Sequence, residues 1–114
     1  MEHDIDIVRG TTIGLTIVIN DENGNPYTPP TGSKLIFGVK KLPTHGESEC
    51  VVKKVADAVS SEVGIRISPD DTENLPFGKY FYDVGLRTGN DFYSIIPMSE
   101  FRINASITKR GDAV

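Results

Sequence analysis

Hydrophobic and polar residues alternate with a period of two along most of the chain, the mark of strands that bury one face and wet the other. Ile5 and Ile7, followed by Arg9, begin the pattern. From Thr11 to Asn20, Ile13, Leu15, Ile17 and Ile19 occupy one face, and Thr12, Thr16 and Val18 the other. Asp21 to Pro26 holds Asn23-Gly24 at its centre, a strong turn signal. Tyr27 to Ser33, with Pro29, Pro30 and Gly32, reads as a loop or as an edge segment that proline keeps from pairing. Lys34 to Lys41 predicts the next strand, in which Leu35, Phe37 and Val39 alternate with Lys34, Ile36 and Lys40. Gly38 stands where a central strand favours a larger or β-branched residue, and it marks an expected bulge.

Leu42 to Ser48, with Pro43 and Gly46, predicts a polar hairpin loop. Glu49 to Val55 is read as a strand with Val51 and Val55 flanking Lys53, and Ala56 to Ser61 as a turn or strand end. Glu62 to Ser68 alternates cleanly through Val63, Ile65 and Ile67. Pro69, Asp70, Asp71 and Pro76 then break regular structure, with one helical turn expected between Asp70 and Asn74. Gly78 opens an aromatic strand, Lys79 to Thr88, carrying Tyr80, Phe81, Tyr82 and Val84. After the turn at Gly89-Asn90-Asp91, Phe92 to Ile96 is expected to pair back as a hairpin. Phe101, Ile103, Ala105 and Ile107 make a separate last strand. Tyr80, Tyr82, Phe92 and Tyr93 are expected to be core and corner residues. Val18, Ile36, Val52 and Phe81 fall on nominal outer faces.

Seven to nine short strands with turn signals about every ten residues predict a sandwich or a barrel. In sandwiches of immunoglobulin type, a tyrosine at the start of a late strand hydrogen-bonds back to the preceding corner. Tyr80, two residues after Gly78, is placed to do so. The expected fold is all-β, an immunoglobulin-like antiparallel β-sandwich, in a single domain over residues 1–114 whose tail, 109–114, has nothing to bury and frays.

Composition narrows the partners. The 114 residues suffice for one core, and 12 cations against 16 anions give a formal charge of −4. Dispersed Lys and Arg in an acidic chain disfavour nucleic acid, and no apolar run approaches the roughly 20 residues of a membrane helix. The acidic start, Met-Glu-His-Asp-Ile-Asp, lacks the basic-then-apolar form of a signal peptide, so cytoplasmic synthesis is expected. Cys50, the single cysteine, forms no internal disulfide; it is expected to be an inert, partly buried thiol, and the sheets to be held by packing alone.

Candidate chemistry is sparse. His3 and His45 have no partner at metal-ligand spacing. Asp21, Asn23 and Asn25 match the start of a calcium loop, but Pro26 and Gly32 replace its glycine and its glutamate, which favours a hairpin. Asp70 and Asp71 are read as turn-capping carboxylates rather than as an acid–base pair. The chain has no G-x-S-x-G elbow and no glycine-rich phosphate loop. Arg110-Gly111-Asp112 spells an adhesion tripeptide, too short a match in a fraying tail to carry weight, and Asn104-Ala105-Ser106 matches a glycosylation acceptor that is not expected to be used without a secretion signal. Nothing in the spacing of Lys34, Glu62 and Asn104 favours an isopeptide bond. Tyr27, Phe77 and Tyr93 are the candidates for a sugar-binding platform, though the chain has no tryptophan. No catalytic, cofactor-binding or metal residue is assigned.

The order of elements resembles a family of small immunoglobulin-like proteins encoded among the tail, baseplate and other virion genes of bacteriophages and prophages. The matching segments are Arg9-Gly10-Thr11-Thr12, the turn Asp21 to Gly24 with Pro26-Tyr27, and Gly32 to Lys40. They continue with Ile67 to Thr72, Leu75 to Val84, Phe101-Arg102-Ile103 and Thr108-Lys109-Arg110. The resemblance implies a non-enzymatic building block that meets other virion proteins or copies of itself, and it implies no catalytic residue. It places the chain in the host cytoplasm at synthesis and in the virion after assembly. The alternative expectation is a carbohydrate-binding or adhesion module.

Overall fold

The computed structural model describes residues 3–41 and 50–105. Seven strands and one helical turn follow in order: β1 (Ile5–Val8), β2 (Ile13–Val18), β3 (Lys34–Lys40), β4 (Cys50–Asp57), β5 (Glu62–Ile67), α1 (Pro69–Thr72), β6 (Gly78–Thr88) and β7 (Asp91–Asn104). The protein is thus all-β, as the alternation predicts. Strands β1-β7-β6-β3-β4 form one sheet, and β2-β5 form a second. Among the described residues no helix is long and apolar enough to cross a membrane.

Period-two burial is cleanest in β3 and β5. Leu35, Phe37 and Val39 are fully buried, as are Val63, Ile65 and Ile67 to within a few per cent. The inward residues of both sheets belong to one cluster. At its centre the rings of Phe37, Tyr82 and Phe101 lie 5.4–6.2 Å apart in tilted and edge-on pairs, the arrangement that aromatic quadrupoles favour.

The corner after β5 forms as expected. Asp71 accepts a hydrogen bond from the Ser68 N–H at 2.7 Å, closing the α1 turn. The Tyr80 hydroxyl donates to the Pro76 carbonyl at 2.8 Å. Burial pushes the Tyr80 phenol pKa up, so the group stays protonated and remains a donor. The turn after β2 also forms. Asp21 Oδ1 accepts from the N–H groups of Asn23 and Asn25, and Gly24 adopts φ +84°, which glycine tolerates without strain.

Four expectations are corrected. First, β1 runs parallel to β7, with Ile5–Val8 against Phe101–Asn104, so the arrangement is not wholly antiparallel. Parallel neighbours need a long connection, and nearly the whole chain lies between these two. Second, Phe92 to Ile96 and the last strand form one strand of 14 residues. Its register with β6 shifts between Tyr82 and Val84 and again between Val84 and Gly85. Pro97 and Met98 therefore face Asp83 together, and the missing proline N–H falls where the ladder is already interrupted. The strand ends at Asn104, short of Ala105.

Third, Phe92 and Tyr93 are not core residues, being 64% and 52% exposed. Phe92 points outward across Gly85, where an added Cβ would lie 2.1 Å from the ring tip. Fourth, Val52 is buried rather than outward. Val39 pairs with Val52 and Lys40 with Cys50, so the extra residue of the bulge is Val51. The bulge expected at Gly38 thus lies one residue further along and on the partner strand. Val18 is exposed and Ile36 and Phe81 are half-buried, in keeping with outer faces.

Candidate functional site

Among the described residues two strand edges stand open beside each other: strand β2 pairs only with β5, and β1 covers β7 only over Phe101–Asn104. Ahead of β1, the chain follows β7 a little further: Asp4 Oδ1 accepts from the Glu100 N–H at 3.1 Å, and the His3 carbonyl accepts from the Tyr82 hydroxyl. Burial, and then the Asp4 carboxylate, raise the pKa of that phenol and keep it a donor. Beyond this point β7 has a strand on one side only among the described residues.

Between the two edges runs a groove of about 410 Å³. Thr16, Ile17, Val18 and Asn20 form one wall, Ser94, Ile95 and Ile96 the other, and His3 lies at its border. Ile17 is buried in the core, whereas Val18 is 52% exposed. Strand edges bring rows of backbone donors and acceptors, and the apolar lining brings surface that water solvates poorly. Such a groove can take an extended segment by main-chain pairing; it offers no set of converging ionisable groups. The alternation predicted β2, but the groove depends on how far β1 and β7 overlap, which local pattern does not encode.

The other candidate residues are scattered. Asp71 bonds Lys54 of β4 at 2.8 Å as well as Ser68, tying the α1 turn to the large sheet. Burial pushes its carboxyl pKa up, but the Lys54 and Ser68 bonds outweigh this and hold it below the ordinary 3.8. Because the folded value is the lower one, this stabilisation is complete above pH 3.8 and is lost as pH falls through the folded pKa. Asp71→Asn should therefore lower stability at pH 7, and its deficit should shrink in urea titrations run below pH 3.8. A deficit that stays constant with pH would contradict the assignment.

Tyr27 and Tyr93 lie towards the end of the molecule that holds Ser33, Ala58 and Ser61. Phe77 sits at the opposite end beneath Arg9, whose guanidinium is 4.0 Å from the ring centroid. The three exposed aromatics do not make one platform. Lys34 is ion-paired with Asp57, and Asn104 lies at the other end from Lys34 and Glu62. Cys50 is half-buried beside Gly38. His45, the tail 109–114 with its Arg-Gly-Asp tripeptide, and Ser106 lie outside the described residues. Among the described residues no group of three His, Cys, Asp or Glu side chains is disposed to hold a metal ion. No protein-family model matches the chain, and no curated protein is significantly similar to it.

Proposed function

We propose that this chain is an immunoglobulin-like, non-enzymatic assembly module of a phage or prophage virion, of the tail or baseplate type. The immunoglobulin-like reading draws support from the division of strands between two sheets, with β2 and β5 facing the larger one. The Tyr80–Pro76 hydrogen bond adds to it. The observation that carries the functional reading is the groove between the open edges of β2 and β7. A building block needs surfaces that accept a neighbour's backbone, and an uncapped edge with apolar residues beside it is one. A glycan-binding module draws less support, since Phe77 lies at the opposite end of the molecule from Tyr27 and Tyr93.

Virions purified on a density gradient from the source cells should contain the chain at stoichiometric copy number by mass spectrometry. Val18→Lys, at an exposed position of the groove wall, should fold with little change in Tm yet be left out of the particles. Particles lacking the wild-type chain would overturn the virion reading. Normal incorporation of the Lys variant would overturn the role of the groove.

A further inference from the structure

Strand β4 forms the border of the five-stranded sheet opposite β1, and among the described residues it has a neighbour on one side only, β3. The Ala58 N–H donates to the Ser33 carbonyl at 3.0 Å, one step beyond the Lys34–Asp57 pair. In an antiparallel ladder such hydrogen-bonded pairs alternate with pairs whose main-chain groups turn away. The register is unbroken from Val52 to Asp57. Val52, Lys54 and Ala56 therefore bond β3, and Lys53, Val55 and Asp57 aim their N–H and carbonyl groups out of the sheet edge.

The same three residues place their side chains on the outer face, and all three are exposed. Val51 and Val59, also exposed, continue the alternation at either end. The outward positions thus read Val51, Lys53, Val55, Asp57, Val59. Run in the opposite direction, this order complements itself, valine against valine and lysine against aspartate.

We infer that β4 pairs antiparallel with β4 of a second copy, about a two-fold axis that passes beside Val55 perpendicular to the sheet. Val55 then lies opposite Val55 of the second copy, and Lys53 opposite its Asp57, twice over by symmetry. These are the residues whose main-chain donors and acceptors face outward, so the two edges bond each other and the two sheets become continuous. Asp57, already ion-paired with Lys34, gains a second cation. On the inner face Lys54 comes opposite Ala56, and its ammonium is held at 2.8 Å by Asp71 of its own copy. The charges also fix the register. A slip of two residues sets Lys53 and Asp57 against valines, and a slip of four sets Lys53 against Lys53 or Asp57 against Asp57. A lysine in an edge strand ordinarily guards it against pairing, because the incoming strand must answer its charge. A foreign strand would need an acid and a base at matching positions; a second copy has both by construction. The pairing is remote from the groove and does not depend on the chain's being a virion component.

Sedimentation equilibrium of the purified chain should show a reversible dimer. Lys53→Glu and Asp57→Lys should each weaken it about tenfold or more, by setting like charges against each other twice. Mixed in equal amounts, the two variants should form a heterodimer of near wild-type strength. The glutamate introduced in one then faces the lysine introduced in the other, and the native Asp57 of the first faces the native Lys53 of the second. Restoration by mixing separates an interface effect from a folding defect. Hydrogen exchange reads the register directly. The Lys53, Val55 and Asp57 amides should exchange fast in dilute protein and slowly as concentration rises, whereas those of Lys54 and Ala56 are slow throughout. A wild-type chain that stays monomeric into the millimolar range would overturn the inference. So would single variants that dimerise normally, a mixture that stays monomeric, or a dimer in which the Val55 amide still exchanges fast. These outcomes are separate from virion content: the chain can dimerise and be absent from particles, or enter particles as a monomer.

Discussion

Phe37→Ala should be the most damaging single substitution in the core, lowering stability by about 3–5 kcal/mol. Phe37 is fully buried in the middle of β3, and its ring contacts both Tyr82 and Phe101. Truncation removes the transfer free energy of the ring and leaves a void. Two other rings border that void, and their backbones are pinned in β6 and β7, so the site cannot collapse around it. Domains of this size are stable by about 5–15 kcal/mol, so the loss is about a fifth of the total or more. Urea unfolding followed by circular dichroism measures it directly. Phe37→Leu, which keeps most of the volume, should cost far less. A loss below about 1.5 kcal/mol for the alanine variant would mean that the three rings are not the centre of the core.

Thr72→Val should follow, at about 1–3 kcal/mol, although it changes neither shape nor volume appreciably. Thr72 is the last residue of α1 and is fully buried, an unusual place for a hydroxyl. Its Oγ1 accepts a hydrogen bond from the Gly10 N–H at 2.9 Å. Gly10 has φ +74° in the connection that carries the chain from β1 in one sheet to β2 in the other. The bond therefore ties that crossover to the corner before β6. Valine leaves the Gly10 amide facing a methyl group, and an unsatisfied part-buried donor costs its desolvation. Hydrogen exchange at the Gly10 amide should accelerate in the variant, a readout that lost packing elsewhere would not produce. Tyr80→Phe should cost less, about 1 kcal/mol, because Pro76 is exposed and water can solvate its freed carbonyl. If Thr72→Val proved neutral, another acceptor would have to serve Gly10.

What the residues determined by themselves was the character of each segment. Alternation along Lys34–Lys40 and Glu62–Ile67 decided which side chains turn inward, because a strand places successive side chains on opposite faces. Local chemistry also sufficed for the Asp21 turn and for the Tyr80 bond, whose partners lie within five residues of each other. Tertiary structure decided the rest. Pro97 reads locally as a break, yet β7 runs through it because bulges against β6 absorb the missing donor. Phe92 and Tyr93 look like core residues, yet Phe92 lies outward over Gly85 and both are more than half exposed. The parallel seat of β1 and the groove between β2 and β7 both join residues distant in the chain. Their placement depends on register between strands, and register is set by the packing of the whole core rather than by neighbours in sequence.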